Sequence, residues 1–328
     1  MMTVSSGQIL FVKCVKDGIP NRDPLNDSDA RRIFGEDDGR ISLTDVSVKR
    51  DVRDYVLAKY PDGGEEKKHF IWCREERTAD GKLLGRDSLA EKILERAGAS
   101  KEDDKATALM KAAYDMRVFG AVFSVKKMSF HKTGPVQFGW AHSLHPAETR
   151  YVQGTTIMPS KDVKADDKGE EEGGKTQGTI WTSYYLPFAV FAMPGVINST
   201  LASETGMTGD DVELLLEGLW NGTLHRQARG RGLQQPLLLI HVEYSDPYFR
   251  IGYLEDYLKI QPEREAWLGT NSPTKITDIA LDVTELSPLL DKNNPKNPYK
   301  SKIQRVRVWK HHELNIIGEL PGEIKPVF

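Results

Sequence analysis

The order in which strand-period and helix-period segments follow one another constrains this chain more than any single motif. Gln8-Ile-Leu-Phe-Val-Lys-Cys-Val15 is nearly continuous in apolar residues and predicts a strand. Within 40–60, Val48, Val52, Tyr55 and Val56 fall at helical spacing and predict an amphipathic helix. Strand patterns return at 116–125, 135–144 and 184–197; Gly134-Pro135 marks a turn, and Pro187 and Pro194 interrupt the last pattern. Residues 207–220 predict a second helix, capped by Thr208 and striped by Val212, Leu215, Leu216 and Leu219. Pro236-Leu-Leu-Leu-Ile-His-Val-Glu-Tyr244 predicts a buried strand. With insertions set aside, the order is strand, helix, strand, strand, helix, strand. That is the split βαβ arrangement of ferredoxin-like and RNA-recognition-motif folds, an α+β class shared by many unrelated functions.

Two insertions interrupt the frame. Residues 61–114 open on the helix breaker Pro61-Asp-Gly-Gly64, then carry a short strand at 69–73 and helices at 88–97 and 105–114. Residues 151–181 run through Thr155, Thr156, Ile157 and Met158 into a charged, Gly-rich tip at 161–175, and return through Gln177 to Trp181. Apolar flanks around a polar tip predict a protruding hairpin whose flanks are strands and whose tip is a disordered loop. Beyond Tyr244 the pattern weakens: a short strand at 278–283, a helical piece at 286–290, a loop at 293–298, a half-exposed strand at 303–310 and an irregular tail.

Composition excludes little but excludes it cleanly. The 328 residues are 39% hydrophobic and 28% charged, an ordinary globular profile with ample chain for a core. The formal net charge of −3 means that any polyanion binding must rest on a local patch. Cys14 and Cys73 are the only cysteines and lack metal-type spacing, which suggests a reducing compartment. No apolar run approaches a membrane span, and no secretory leader is apparent, so a cytoplasmic protein is expected.

The candidate chemistry is cationic. Lys49 and Arg53 share a helix face, with Arg50 beside them; Ser42 or Thr44 can cap the helix start, and Asp45 suits its positive end. Free N–H groups and cations of this kind hold phosphate, although a solvated helix face has the same composition. His225-Arg-Gln-Ala-Arg-Gly-Arg-Gly232 places Arg226, Arg229 and Arg231 among small residues just after a helix, and Arg117 is a further cation. There is no Gly-x-Ser-x-Gly, Walker or His-Glu-x-x-His motif, so no catalytic residue, metal or cofactor is assigned. His142, His145, His311 and His312 read as structural. Asp17, Asp23, Asp27 and Asp29 crowd the first loop, where turn chemistry accounts for them.

Over nearly its whole length the chain resembles the backbone subunit of CRISPR Cascade complexes, the Cas-seven group of RAMP proteins, in a subtype I-B-like form. Asn21-Arg-Asp-Pro-Leu-Asn26 stands where that family often has Asn-Pro-Asn-Gly-Asp-Pro, and Gly-Ile-Pro at 18–20 departs from its usual start. Thr44-Asp-Val-Ser-Val-Lys-Arg-Asp-Val-Arg-Asp-Tyr55 is similar to its first helix. Asp115-Met-Arg-Val-Phe-Gly120 and Thr133-Gly-Pro-Val-Gln-Phe138 are similar to its central strands.

The resemblance implies a hand-shaped protein. Its RNA-recognition-like palm would comprise 8–60, 115–150 and 183–246, its fingers 61–114, its thumb 151–182 and a C-terminal elaboration 247–328. It implies a non-catalytic subunit whose copies line up head-to-tail along a CRISPR guide RNA beside other Cascade subunits, leaving bases free to pair with target DNA. Expected RNA contacts are Ser42, Thr44, Lys49, Arg50, Arg53, Arg117, Gly134, Gln137, Arg226, Arg229 and Arg231, with Thr155, Thr156, Ile157 and Met158 wedging between bases. Two other readings remain: a metal-dependent ribonuclease using Asp17 or Asp23, and a generic single-strand RNA binder with aromatics such as Phe119 and Phe123 on its central strands.

Overall fold

The centre of the molecule is β1 (Gly7–Lys16), nine of whose ten residues are buried. The computed structural model describes residues 3–26, 28–100, 104–125, 128–156 and 180–328. After β1 come β2 (Ser42–Leu43), α1 (Asp45–Lys59), α2 (Arg86–Arg96), α3 (Lys105–Ala112) and α4 (Tyr114–Phe119). Next are β3 (Gly120–Val125), β4 (Met128–Thr133), β5 (Val136–Phe138), β6 (Ala141–Ser143), β7 (Arg150–Thr155), β8 (Ile180–Tyr185) and β9 (Phe188–Ile197). Then follow α5 (Ser199–Thr205), α6 (Gly209–His225) and β10 (Leu233–Tyr244). The last part holds β11 (Lys259–Gln261), β12 (Ala280–Asp282), α7 (Ser287–Leu290), β13 (Ile303–Lys310), β14 (Asn315–Ile317) and β15 (Glu323–Ile324).

The main sheet runs β15-β13-β10-β1-β9-β6-β2, with β5 also paired to β9. β1 is antiparallel to both β9 and β10. The second strand of the core frame is therefore β5 with β6, and the spatial order is fourth, first, third, second. Alternate residues of β1 face opposite ways. Ile9, Phe11 and Val15 join Val48, Val52 and Val56 of α1 and Leu215, Leu216 and Leu219 of α6. Leu10, Val12 and Cys14 join Leu254, Leu258, Leu281 and Leu286 from the C-terminal part. A sheet covered on both faces needs near-continuous apolar strands, which is why β1, β9 and β10 lack alternation. Each fully buried valine of α1 contributes about 1.5–3 kcal/mol toward holding that helix on the sheet.

The double cover has a functional consequence. An RNA-recognition sheet that stacks bases needs an open face with exposed aromatics. Here Phe11, Phe191, Phe119 and Phe123 are all buried.

One sequence expectation is corrected. Residues 116–125 do not form a single strand: 116–119 belong to α4, and only Gly120–Val125 is extended. A short apolar run fits either period. Tertiary contacts settle it, because the helical turn carries Arg117 to Asp211 and Asp115 to Arg53. The extended half pairs with β4 outside the main sheet and packs with α2 and α3 around Phe70, Ile93 and Phe123. The strand expected at 69–73 is reduced to one bridge between Phe70 and Ala113. The tail, expected to be irregular, contributes β14 and β15.

Candidate nucleic-acid interface

Helix α1 begins after Thr44, whose side chain does not cap it. Instead Asn21 Oδ1 accepts both the Thr44 amide and its hydroxyl, at 2.9 and 2.8 Å. The first loop is thereby tied to the helix start. Ser42, expected at the interface, is fully buried in β2 and bonds His142 Nδ1 through its hydroxyl at 3.0 Å.

The cations of α1 are largely engaged. Lys49 reaches Asp45 at 2.8 Å and lies over the Phe119 ring. Arg50 bonds Asp54 at 2.6 Å and the Cys73 carbonyl. Arg53 bonds Asp115 at 2.9 Å and also covers Phe119. Asp115 in turn accepts the amides of Trp72 and Cys73. Sequence reading counted these cations as available; the structure shows them held in fixed positions by carboxylates.

The arginine loop folds back onto the same helix. The segment Arg229–Arg231 is a single tight turn, and a Cβ on Gly18 would lie 2.0 Å from the Gly232 nitrogen, so first loop and arginine loop touch backbone to backbone. Arg226 and Arg231 both reach Asp51 Oδ1, at 2.9 and 3.0 Å, and Arg226 also takes Asp54. The other oxygen of Asp51 holds Lys13 of β1 at 3.0 Å. Burial lowers the Lys13 pKa; the charge of Asp51 opposes this and the charges of Arg231 and Arg226 add to it. Burial lowers the Arg231 pKa as well, and its Nε is buried with no partner among the described residues.

The charges in this connected group do not cancel. Lys13, Arg50, Arg226 and Arg231 stand against Asp51 and Asp54, a formal local charge of +2 in a chain whose formal net charge is −3. Arg229 is exposed, makes no ion pair among the described residues and stacks over Trp181 of β8 at 4.0 Å. Lys16, at the end of β1 beside Gly232, is exposed and also unpaired among the described residues. Sequence reading missed Lys13, Lys16 and Arg22. The turn residues after Lys16 were the available signal for an exposed cation there.

Other expected residues lie elsewhere. Arg117 is buried, and its guanidinium donates to both Asp211 oxygens and to the carbonyls of Met110, Lys111 and Lys68. Placed so, it is a packing element with no donor left for phosphate. Gly134 is also buried, and a Cβ there would meet the Phe119 carbonyl carbon at 2.1 Å; its need for glycine is internal. Gln137 is half-buried and donates to the Gly134 carbonyl. Thr155 is exposed at the end of the β7–β8 ladder, opposite Ile180, and Thr156 follows it, also exposed. Ile157, Met158 and the acidic tip lie outside the described residues.

Two acids of the first loop, Asp23 and Asp29, hold nearby backbone and side-chain donors. Asp23 accepts the Leu25 amide, and Asp29 accepts the Ala30 amide and the Thr149 hydroxyl. His145 is buried against Trp267 and accepts the Val190 amide. Among the described residues, only His311, His312 and Glu313 gather three potential metal ligands, on an exposed turn remote in sequence from the cationic group.

Fold and site together define an α+β protein whose excess positive charge is gathered where β1, α1 and the 226–231 loop meet. The chain belongs to the family described as CRISPR-associated protein Cas7, whose model matches residues 5–284. A curated relative, CRISPR-associated protein Cas7 of Haloferax volcanii, is 26% identical over 313 residues, 89% of this chain and 84% of the relative. A solved chain described as CRISPR RNA-guided surveillance complex, pre-nicking, is similar in fold with a TM-score of 0.59 at 13% identity, covering 99% of this chain and 97% of that one. Among the described residues no helix is long and apolar enough to cross a membrane.

Proposed function

We propose that this protein is a guide-RNA-binding backbone subunit of a type I Cascade complex. The sheet with α1 and α6 serves as an RNA-recognition-like palm, the α2–α3 region as fingers and the β7–β8 ladder as the base of a thumb. Copies assemble head-to-tail along one CRISPR RNA, a heterologous contact that stays open and does not close into a dimer. The observation that carries this reading is the +2 group around Asp51, assembled from three segments distant in sequence. Lys16, Lys49, Arg50, Arg226, Arg229 and Arg231 then hold phosphates, with contacts to backbone and not to base edges, so any guide sequence is accepted. Pairing of the guide with target DNA supplies the specificity. Tyr151, Val152 and Ile180 stand exposed on the ladder and offer apolar surface to unstacked bases.

The reading is non-catalytic, supported by the engagement of Asp23, one of the two carboxylates a ribonuclease would use, with the Leu25 amide. Purification with and without nuclease tests the assembly. A large, nucleic-acid-rich species that collapses to protein on nuclease treatment is expected; a nuclease-indifferent monomer without bound nucleic acid would overturn the proposal. Incubating the assembled complex with complementary RNA and a divalent metal should leave that RNA intact, and site-specific cutting would favour the ribonuclease.

A further inference from the structure

The ladder β7–β8 leaves the body of the protein next to a side chain that no expectation included. Arg22, in the first loop, donates through Nη2 to the Ser183 hydroxyl at 2.6 Å and to the Tyr184 carbonyl at 3.3 Å, both on β8. Its Nε and Nη2 also donate to the Gly230 carbonyl, at 3.2 and 3.0 Å, in the arginine loop. That carbonyl accepts the Ile19 amide as well. One guanidinium thus joins three segments separated by 161 and 208 residues. A second tie runs alongside. Trp181 lies across Gly154 of β7, where a Cβ would meet the indole at 2.3 Å, and carries Arg229 at 4.0 Å. The ladder is therefore fixed to the arginine loop through two contacts, one planar fork and one stacked ring.

We propose that Arg22 is a positioning residue: with the Trp181–Arg229 stack, it sets the direction in which the ladder leaves the palm. This rests on the guide-RNA reading and adds a division of labour to it. Unlike the phosphate-binding cations, Arg22 spends its fork inside the protein, so its loss changes where the thumb falls on the RNA and not whether the RNA is held. Lysine cannot replace it, because an ammonium has no planar fork to span Ser183, Tyr184 and Gly230 together.

The test uses the full chain as Arg22→Ala, Arg22→Lys and, should the loop variants fold poorly, Trp181→Leu. In the free protein, amides of 150–156 and 180–185 are expected to exchange at least about tenfold faster in each variant, with α1 and α6 unchanged. Unchanged exchange in the ladder would sink the proposal whether or not RNA binds. On a transcribed repeat–spacer RNA, overall affinity should stay within about threefold of the parent, while at saturating protein the regularly spaced reactive nucleotides expected of the parent, one set per lined-up thumb, blur. A regular pattern retained at saturation would also overturn it, as would lost affinity restored by Arg22→Lys, since that marks a phosphate ligand. If the parent protein binds no RNA, the guide reading fails and the exchange result still judges Arg22.

Discussion

Arg117 and Asp211 meet at 2.7 Å with almost no access to water, although 94 residues separate them. The same carboxylate caps α6, accepting the Thr208 amide and hydroxyl while Thr208 accepts the Asp211 amide. Burial alone would raise the Asp211 pKa, but the hydrogen bonds and charge of Arg117, with Thr208, bring it below the ordinary aspartate value. The α4 turn and the second core helix are thereby locked to each other at their ends.

Removing Arg117 leaves Asp211 charged and buried with only its cap. Arg117→Ala is expected to destabilise the protein by about 3–5 kcal/mol, the usual cost of breaking one side of a buried pair. Urea unfolding would show a lower midpoint at unchanged slope. RNA affinity of the folded fraction should stay within about twofold, because no phosphate contact is lost. Intact stability with weakened RNA binding would restore Arg117 to the interface.

The Asp51 group predicts an asymmetry. Asp51→Ala strands Lys13, Arg226 and Arg231 around a vacated site, and a loss of about 3–5 kcal/mol is expected. Lys13→Met leaves Asp51 with two arginines and replaces a desolvated ammonium by an apolar chain, so its cost should be near zero, about 1 kcal/mol at most. Equal losses in the two variants, measured by urea denaturation, would mean that Asp51 is not the hub.

The frame was legible because its signals are local. The Val48, Val52, Val56 stripe and the Thr208 cap need only neighbours in the chain, and both stand as the sequence reads. The strand at 116–125 failed because a short apolar run has no period of its own. The engagement of the cations was half visible: Lys49-Arg50-Asp51-Val52-Arg53-Asp54 interleaves acids with bases, and carboxylates four residues from a cation pair on a helix. Asp45–Lys49 and Arg50–Asp54 are such pairs. What no local pattern shows is that Arg226 and Arg231 return to Asp51, or that Arg22 reaches β8. Those contacts span some 160 to 180 residues and follow from sheet topology.

Stability should fall in mild acid. His145 and His241 are both held neutral, with pKa values pushed down to about 3, chiefly by burial, and for His241 also by Arg307 and Arg305. The unfolded chain binds these protons as pH drops through about 6.5, whereas the folded chain resists until about 3. The contribution is therefore complete above pH 6.5 and is lost progressively below it. The slope is about 1.4 kcal/mol per pH unit for each histidine, so about 2.7 for both. Urea midpoints from pH 7 to about 4.5 would show it, and replacing one histidine by Gln should halve the slope. A flat profile would contradict the neutral assignment.

Deleting 165–174 is expected to leave guide-RNA affinity within about twofold of the parent, since Asp166, Asp167, Glu170, Glu171 and Glu172 repel a phosphate backbone. A large loss in a filter-binding titration would assign the tip a contact of its own.

The salt dependence of RNA binding separates interface cations from structural ones. Each phosphate neutralised on single-stranded RNA contributes about −0.7 to the slope of log affinity against log salt. Lys16 is exposed and unpaired among the described residues, whereas Lys49 is buried and paired with Asp45, so a phosphate held there has to displace that carboxylate. Lys16→Ala and Lys49→Ala should each weaken binding of unrelated RNA sequences alike and flatten the slope by about 0.7. Arg53 is held by Asp115, whose other contacts fix the 72–73 segment. Arg53→Ala should therefore lower the urea midpoint more than either lysine variant does, even if it also flattens the slope. A slope unchanged in both lysine variants would move the phosphate path away from α1, and a loss confined to one RNA sequence would mean that these side chains read bases.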